Sequence, residues 1–92
     1  MQHFTQHARR RIQQRAIPTF IVSLLDQYGS EFRTNNADII IFDKHAKMRL
    51  RQAFGGARGL KAIERWLDAY AIVADDGTFL TVGHRHARVG RP

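Results

Sequence analysis

The sequence predicts an α+β domain: an N-terminal helical pair and inserted helices packed on a small, mainly antiparallel four-stranded sheet. Three observations predict it. Apolar residues recur at three- and four-residue spacing near the start of the chain and again in its middle. Two strand-like runs meet at Asn35-Asn36 and two more at Asp76-Gly77, so the strands come as hairpins and do not alternate with helices. Ninety-two residues, 43% of them hydrophobic, suffice for one core and not for two, so residues 1–92 read as a single domain.

Each element has its own local reason. Over residues 2–14, Phe4, Ala8 and Ile12 form one stripe of an amphipathic helix, while His3, His7, Arg10 and Gln14 share another face with Arg11 between the two. Pro18 suits the first turn of a second helix whose Phe20, Ile21, Leu24 and Leu25 point inward; Gly29 stops it, and the two helices join around Ala16 and Ile17. Residues 31–34 and 37–43 read as strands around an asparagine turn, and the consecutive Ile39, Ile40, Ile41 and Phe42 suit a strand inside the sheet. Residues 44–54 return to helical spacing with Ala46, Leu50, Ala53 and Phe54 inward and Lys44, Lys47 and Arg51 outward. Gly55, Gly56 and Gly59 break that helix, and Leu60, Ile63, Trp66 and Leu67 stripe another that closes at about Ala69. Residues 70–75 and 78–82 then form a hairpin on a two-residue type I′ loop, which sets Val73 opposite Leu80 and Ala71 opposite Val82 on the core side. Continued alternation carries His84, His86 and Arg88 along that same side, with Arg85 on the other.

Charge narrows the function. Fifteen Lys and Arg against eight Asp and Glu leave +7, and twelve of the fifteen cations are arginine, whose planar guanidinium forks onto phosphate and stacks on bases. No acid precedes Asp26 and none follows Asp76, so both ends are basic and, brought together, would make a footprint for a polyanion. A solubilising surface or an acidic protein partner fits the net charge equally well. The absence of cysteine excludes disulfides, thiolate catalysis and Cys-ligated metal sites. The arginines at 9–11 and 15 are not followed by an uninterrupted apolar run, so no secretory signal or membrane span is read and the chain is expected in the cytoplasm.

The chemistry-bearing motifs are few. The Gly55–Gly59 stretch lacks the Lys-Ser/Thr of a phosphate loop, and Ser23 and Ser30 lie outside any nucleophile elbow. His84-x-His86 sets two imidazoles on one side of a strand, but so basic a segment disfavours a cation, and neither metal nor cofactor is expected. Metal-free RNA cleavage needs a general base, a general acid and cations facing the phosphorane, and histidine with arginine supplies all three near neutrality. His84, Arg85 and His86 are accordingly the candidate catalytic group. His7, Arg10, Arg11, Arg15, Lys44, Lys47, Arg51 and Arg88 are the candidate nucleic-acid contacts. Each has a blander reading as a solvated side chain, and Trp66 and Tyr70 read first as core residues rather than base-stacking platforms.

The segment His7-Ala8-Arg9-Arg10-Arg11-Ile12-Gln13-Gln14-Arg15-Ala16-Ile17-Pro18 resembles the His-Ala-x-x-Arg-x-x-x-Arg-Gly-Ile opening of a bacterial domain family grouped with the RelE and BrnT toxins of toxin–antitoxin systems. Ala16 stands where that pattern has glycine, and residues 44–68 read as a helical insertion the family lacks. The resemblance implies a RelE-like sheet, a metal-independent endoribonuclease toxin acting on RNA, free or ribosome-bound, and an acidic antitoxin-like partner. Two other classes fit the same residues: a nucleic-acid-binding adaptor without catalysis, and a basic module that docks an acidic protein.

Overall fold

The computed structural model describes residues 3–85. They run β1 (His3–Phe4), α1 (Gln6–Gln14), α2 (Thr19–Tyr28), β2 (Ser30–Arg33), β3 (Ala37–Ile41), α3 (Lys44–Ala53), α4 (Gly56–Ala62), a 3₁₀ turn (Glu64–Trp66), β4 (Ala69–Ala74) and β5 (Thr78–His84). The strands form one sheet in the order β1-β5-β4-β3-β2, antiparallel except for the parallel β1–β5 pair at one edge. The α+β class and both hairpins agree with the sequence. The sheet is mixed and has five strands, not four.

The additional strand comes from Phe4, which its spacing to Ala8 and Ile12 had assigned to the first helix. Thr5 divides the two elements. Its hydroxyl oxygen accepts from the Ala8 N–H (3.0 Å) as the N-cap of α1. Its own N–H donates to the Phe79 carbonyl (2.9 Å) and its hydroxyl to the Leu80 carbonyl (3.2 Å). One capping threonine thus starts α1 and ties β1 to β5, and Phe4 packs its ring 5.0 Å from that of Phe79.

The C-terminal hairpin reaches its expected register by a different route. Gly77 has a φ of 89° and its N–H closes a turn on the Ala74 carbonyl (2.9 Å), whereas Asp76 keeps a negative φ. A type I′ loop needs both central residues at positive φ, so this is a three-residue connection with glycine in the left-handed position. The Asp76 carboxylate accepts from the Thr78 N–H (2.9 Å), which fixes the turn and lowers that carboxyl's pKa. The longer loop sets Val73 opposite Phe79, not Leu80, and a bulge at Leu80 takes up the extra residue, so that Ala71 again faces Val82 and Ala69 faces His84. Phe79 is therefore the core residue and Leu80 is only half-buried.

All the helices lie on one side. α1 packs on β5, α2 on β4 and β3, α3 on α2, and α4 on α3. The helix side of the sheet presents Ile40, Ala71, Val73, Phe79 and Val82, all buried, to Ala8, Ile21, Val22, Leu25 and Leu50. Two expected inward residues face elsewhere: Phe20 is 48% exposed and rests its ring 5.6 Å from Phe54, its place in the core taken by Val22, and Ala53 is exposed at the end of α3. The last helix is also shorter than its stripe suggested. α4 ends at Ala62, and a single 3₁₀ turn carries the chain through Trp66 before β4 begins at Ala69. A Cβ on Gly59 would collide with the Phe54 carbonyl, so the close α3–α4 bend requires glycine there.

α1 ends in a Schellman turn. The Ile17 N–H donates to the Ile12 carbonyl (3.0 Å) and the Ala16 N–H to the Gln13 carbonyl (3.2 Å), which drops Ile17 into the core. Ala16 sits at the position glycine usually takes, with φ 51°, a conformation that costs an L-residue about 1–2 kcal/mol. Replacing Ala16 by glycine is expected to stabilise the protein by about 0.5–1 kcal/mol, the relief exceeding the entropy glycine adds to the unfolded chain. A urea midpoint that falls would show that the turn carries no such strain.

Candidate functional site

The antiparallel pairings bring Ser30, Ile41, Tyr70 and His84 to one end of the sheet, and Arg33, Asp38, Ala74 and Thr78 to the other. The two ends differ in charge. At the turn end Asp26, Glu31, Asp38 and Asp75 line a single recess, and Arg33 bridges Asp75 and Asp38. Arg33 holds the Asp75 carboxyl below the usual carboxylate range through a hydrogen bond and its charge. At the other end, Asp43 is occupied as the N-cap of α3. It accepts from the Ser30 hydroxyl (2.6 Å) and the Ala46 N–H (2.9 Å), which together depress its pKa. Arg49 reaches the same edge and donates to the Tyr28 carbonyl (2.9 Å) and the Ser30 hydroxyl (3.0 Å).

His84 lies at the heart of this second end. Its Nδ1 is 2.7 Å from the Asp68 carboxylate, and its ring stacks on Trp66 with centroids 5.6 Å apart at 27°. Trp66 in turn carries the Arg65 guanidinium 5.0 Å from its ring centroid. The Arg85 N–H donates to the Asp68 carbonyl (2.7 Å), so the strand end and the carboxylate are fixed together from both main chain and side chain. His84 keeps 18% of its side-chain surface and Asp68 43%, so the pair is held yet reachable from solvent.

Local structure explains each placement. The 3₁₀ turn ends at Trp66 and β4 begins at Ala69, so Asp68 sits just before the strand, directly beside the Ala69–His84 pair. Gly83 leaves room for the Tyr70 ring, which a Cβ there would meet at 3.1 Å, and so the opposite face closes beneath the histidine. With Nδ1 donating to a carboxylate, a neutral imidazole carries its lone pair on Nε2, the form that accepts a proton. The pair is thus an oriented imidazole–carboxylate contact, backed by the Trp66 ring that carries Arg65.

The sequence-predicted residues are distributed unevenly about this centre. His84 and Arg85 are in it. His86 and Arg88 lie outside the described residues. His7, Arg10 and Arg11 are on α1, the helix that packs on β5, and Arg15 is its C-cap; all are exposed except the half-buried Arg11. Lys44, Lys47 and Arg51 are on α3, which packs mainly on α2 and α4. Of these three, Arg51 lines a cleft of about 340 Å³ with Lys61, Glu64 and Leu67, next to the segment that carries Arg65 and Asp68. Asp68, Arg65 and the stacking role of Trp66 were not read from the sequence. The available signal was the hairpin register itself, which places residue 69 opposite residue 84 and therefore residue 68 beside it. Among the described residues no group of three or more His, Asp or Glu is arranged to hold a metal ion. No described helix is long and apolar enough to cross a membrane. Compared with models of known families, with curated proteins and with solved structures, the chain matches none.

Proposed function

We propose that this chain is a cytoplasmic RNA-engaging domain of RelE-like type that cleaves RNA without a metal. The observation that supports it is the Asp68–His84 pair, stacked on the Trp66 ring that also carries Arg65, with Arg85 next along the chain, at the end of the sheet away from an acidic recess. A polyanion is repelled by the recess of Asp26, Glu31, Asp38 and Asp75, which favours its approach at the opposite end, where Arg49, Arg65 and Arg85 lie.

In this reading the substrate's 2′-hydroxyl attacks its own phosphorus. His84, oriented by Asp68, takes the 2′ proton, and the 5′-oxygen leaves with a proton from a general acid, for which His86 is the candidate. A 2′,3′-cyclic phosphate and a free 5′-hydroxyl result. Arg65 and Arg85 offset charge on the phosphorane, and Trp66 supports His84 while offering its edge to a base. An acidic antitoxin-like partner would act by occupying the same cations.

The charge asymmetry also favours a second reading, RNA binding without cleavage, because steering needs no proton transfer. One assay separates the two. End-labelled RNA, naked and on translating ribosomes, is incubated with the protein in excess chelator at two salt concentrations. The nuclease reading expects chelator-resistant cleavage that leaves cyclic or 3′-phosphate ends and is lost in His84→Ala while the complex survives. Binding without cleavage in every arm leaves the binder reading alone, with a salt slope that falls by about one unit for each phosphate-contacting arginine removed. No binding and no cleavage overturns both.

A further inference from the structure

Among the described residues no element packs on the face of the sheet opposite the helices. The pairings align Phe32, Ile39, Ile72 and Thr81 in one row across it and Ser30, Ile41, Tyr70 and Gly83 in the next. No described helix packs there, and Phe32 on the edge strand β2 is 48% exposed. The outer edge of β2, to which no described strand pairs, carries a specific pattern. The Thr34 N–H donates to the Ala37 carbonyl (2.8 Å), which makes Thr34–Ala37 a hydrogen-bonded pair of the β2–β3 hairpin. Alternation along an antiparallel ladder then turns the main-chain groups of Phe32 and Ser30 toward β3, and those of Glu31 and Arg33 outward.

We infer that β2 pairs with the β2 of a second copy, antiparallel, about a two-fold axis at Phe32. Only registers that set outward-facing residues opposite each other form hydrogen bonds, and β2 offers three: Glu31 on Glu31, Arg33 on Arg33, or Glu31 on Arg33. The first two oppose like charges. The third opposes Glu31 of each copy to Arg33 of the other on the helix side and sets Phe32 against its twin on the opposite side. All three side chains of the outer edge are then complementary to themselves under one symmetry operation. The same parity keeps the helices of both copies on one side, so the two sheets continue as one. Arg33 also contacts Asp75 and Asp38 on the inner side of β2, and about half of its side-chain surface stays open.

The test is sedimentation equilibrium over a concentration series reaching about 1 mM, a range suited to an interface this small. Wild type is expected to dimerise within it. Glu31→Lys sets an ammonium against the Arg33 guanidinium twice, and Arg33→Glu opposes two carboxylates twice. Each variant alone is expected to weaken the dimer by about 30-fold, and an equimolar mixture, in which every pair is again complementary, to recover it. Glu31→Pro removes only an outward N–H, so it leaves the hairpin ladder intact and is expected to abolish pairing with an unchanged circular dichroism spectrum. Should Arg33→Glu fail to fold, Glu31→Lys and Glu31→Pro decide, since both leave the Arg33–Asp75 contact in place. A wild-type monomer throughout, a Glu31→Lys variant that associates like wild type, or a mixture of folded variants that stays monomeric overturns the proposal.

Discussion

Phe79→Ala is expected to destabilise the protein by about 3–5 kcal/mol, while Leu80→Ala, one residue further along the same strand, costs about 1 kcal/mol or less. Phe79 is 1% exposed, packs against Val73 and Val82, and holds β1 through the Phe4 ring. Its truncation opens a cavity that rigid neighbours on a paired strand cannot close, and it releases the edge strand as well. Leu80 is the bulged residue, and its carbonyl is held by Thr5 rather than its side chain by the core. A domain of this size has about 5–15 kcal/mol of stability in total, so the first change leaves little in reserve. Urea denaturation of both variants with an unchanged m-value provides the comparison. The opposite ranking, a larger loss for Leu80→Ala, would mean that the hairpin turns on two residues and that the bulge does not form.

That contrast also shows which parts of the fold local sequence can specify. Asp76-Gly77 and Asn35-Asn36 locate both hairpins because their turn chemistry acts within four residues. The loop length is harder to read, since Asp76 can serve a two- or a three-residue turn. The choice rests on its carboxylate bonding the Thr78 N–H and on Thr5, seventy-five residues away from Leu80, satisfying the bulge carbonyl. β1 escapes for the same reason. Phe4, Ala8 and Ile12 keep helical spacing across the Thr5 cap, and only a distant parallel pairing with Thr78 and Phe79 removes the first of them from the helix. Val22 displaces Phe20 because the buried arc of α2 is decided by where β3 and β4 lie beneath it, which no single-helix stripe contains.

The candidate site divides in the same way. His84 and Arg85 stood out as residue types on a basic strand end. Asp68 did not, because a lone aspartate between a helix and a strand has no pattern of its own and acquires meaning only when the ladder sets Ala69 against His84. Ala16 lies between these cases: its mismatch to a glycine in the resembling motif is visible in sequence, and its left-handed φ gives that glycine a physical reason.

Asp68→Asn is expected to slow the proposed RNA cleavage by about 10²–10⁴-fold in kcat with KM nearly unchanged. The carboxylate touches no reacting atom in this scheme; it is a positioning residue that accepts the Nδ1 proton of His84 and so leaves Nε2 basic. An amide in its place presents an N–H to Nδ1 as readily as an oxygen, which favours the tautomer with its proton on Nε2 and removes the base. Because the pair is partly exposed, the melting temperature should stay within about 3 °C of wild type, which separates lost orientation from lost fold. Asp68→Glu, which keeps a carboxylate, should recover part of the rate. The double variant His84→Ala, Asp68→Asn should be no slower than His84→Ala alone, since a residue that acts only through the imidazole has nothing left to orient. Full activity in Asp68→Asn would make the 2.7 Å contact a strand-end lock and move the proton transfer away from His84. An additive double variant would give the carboxylate a separate role in contact with the substrate.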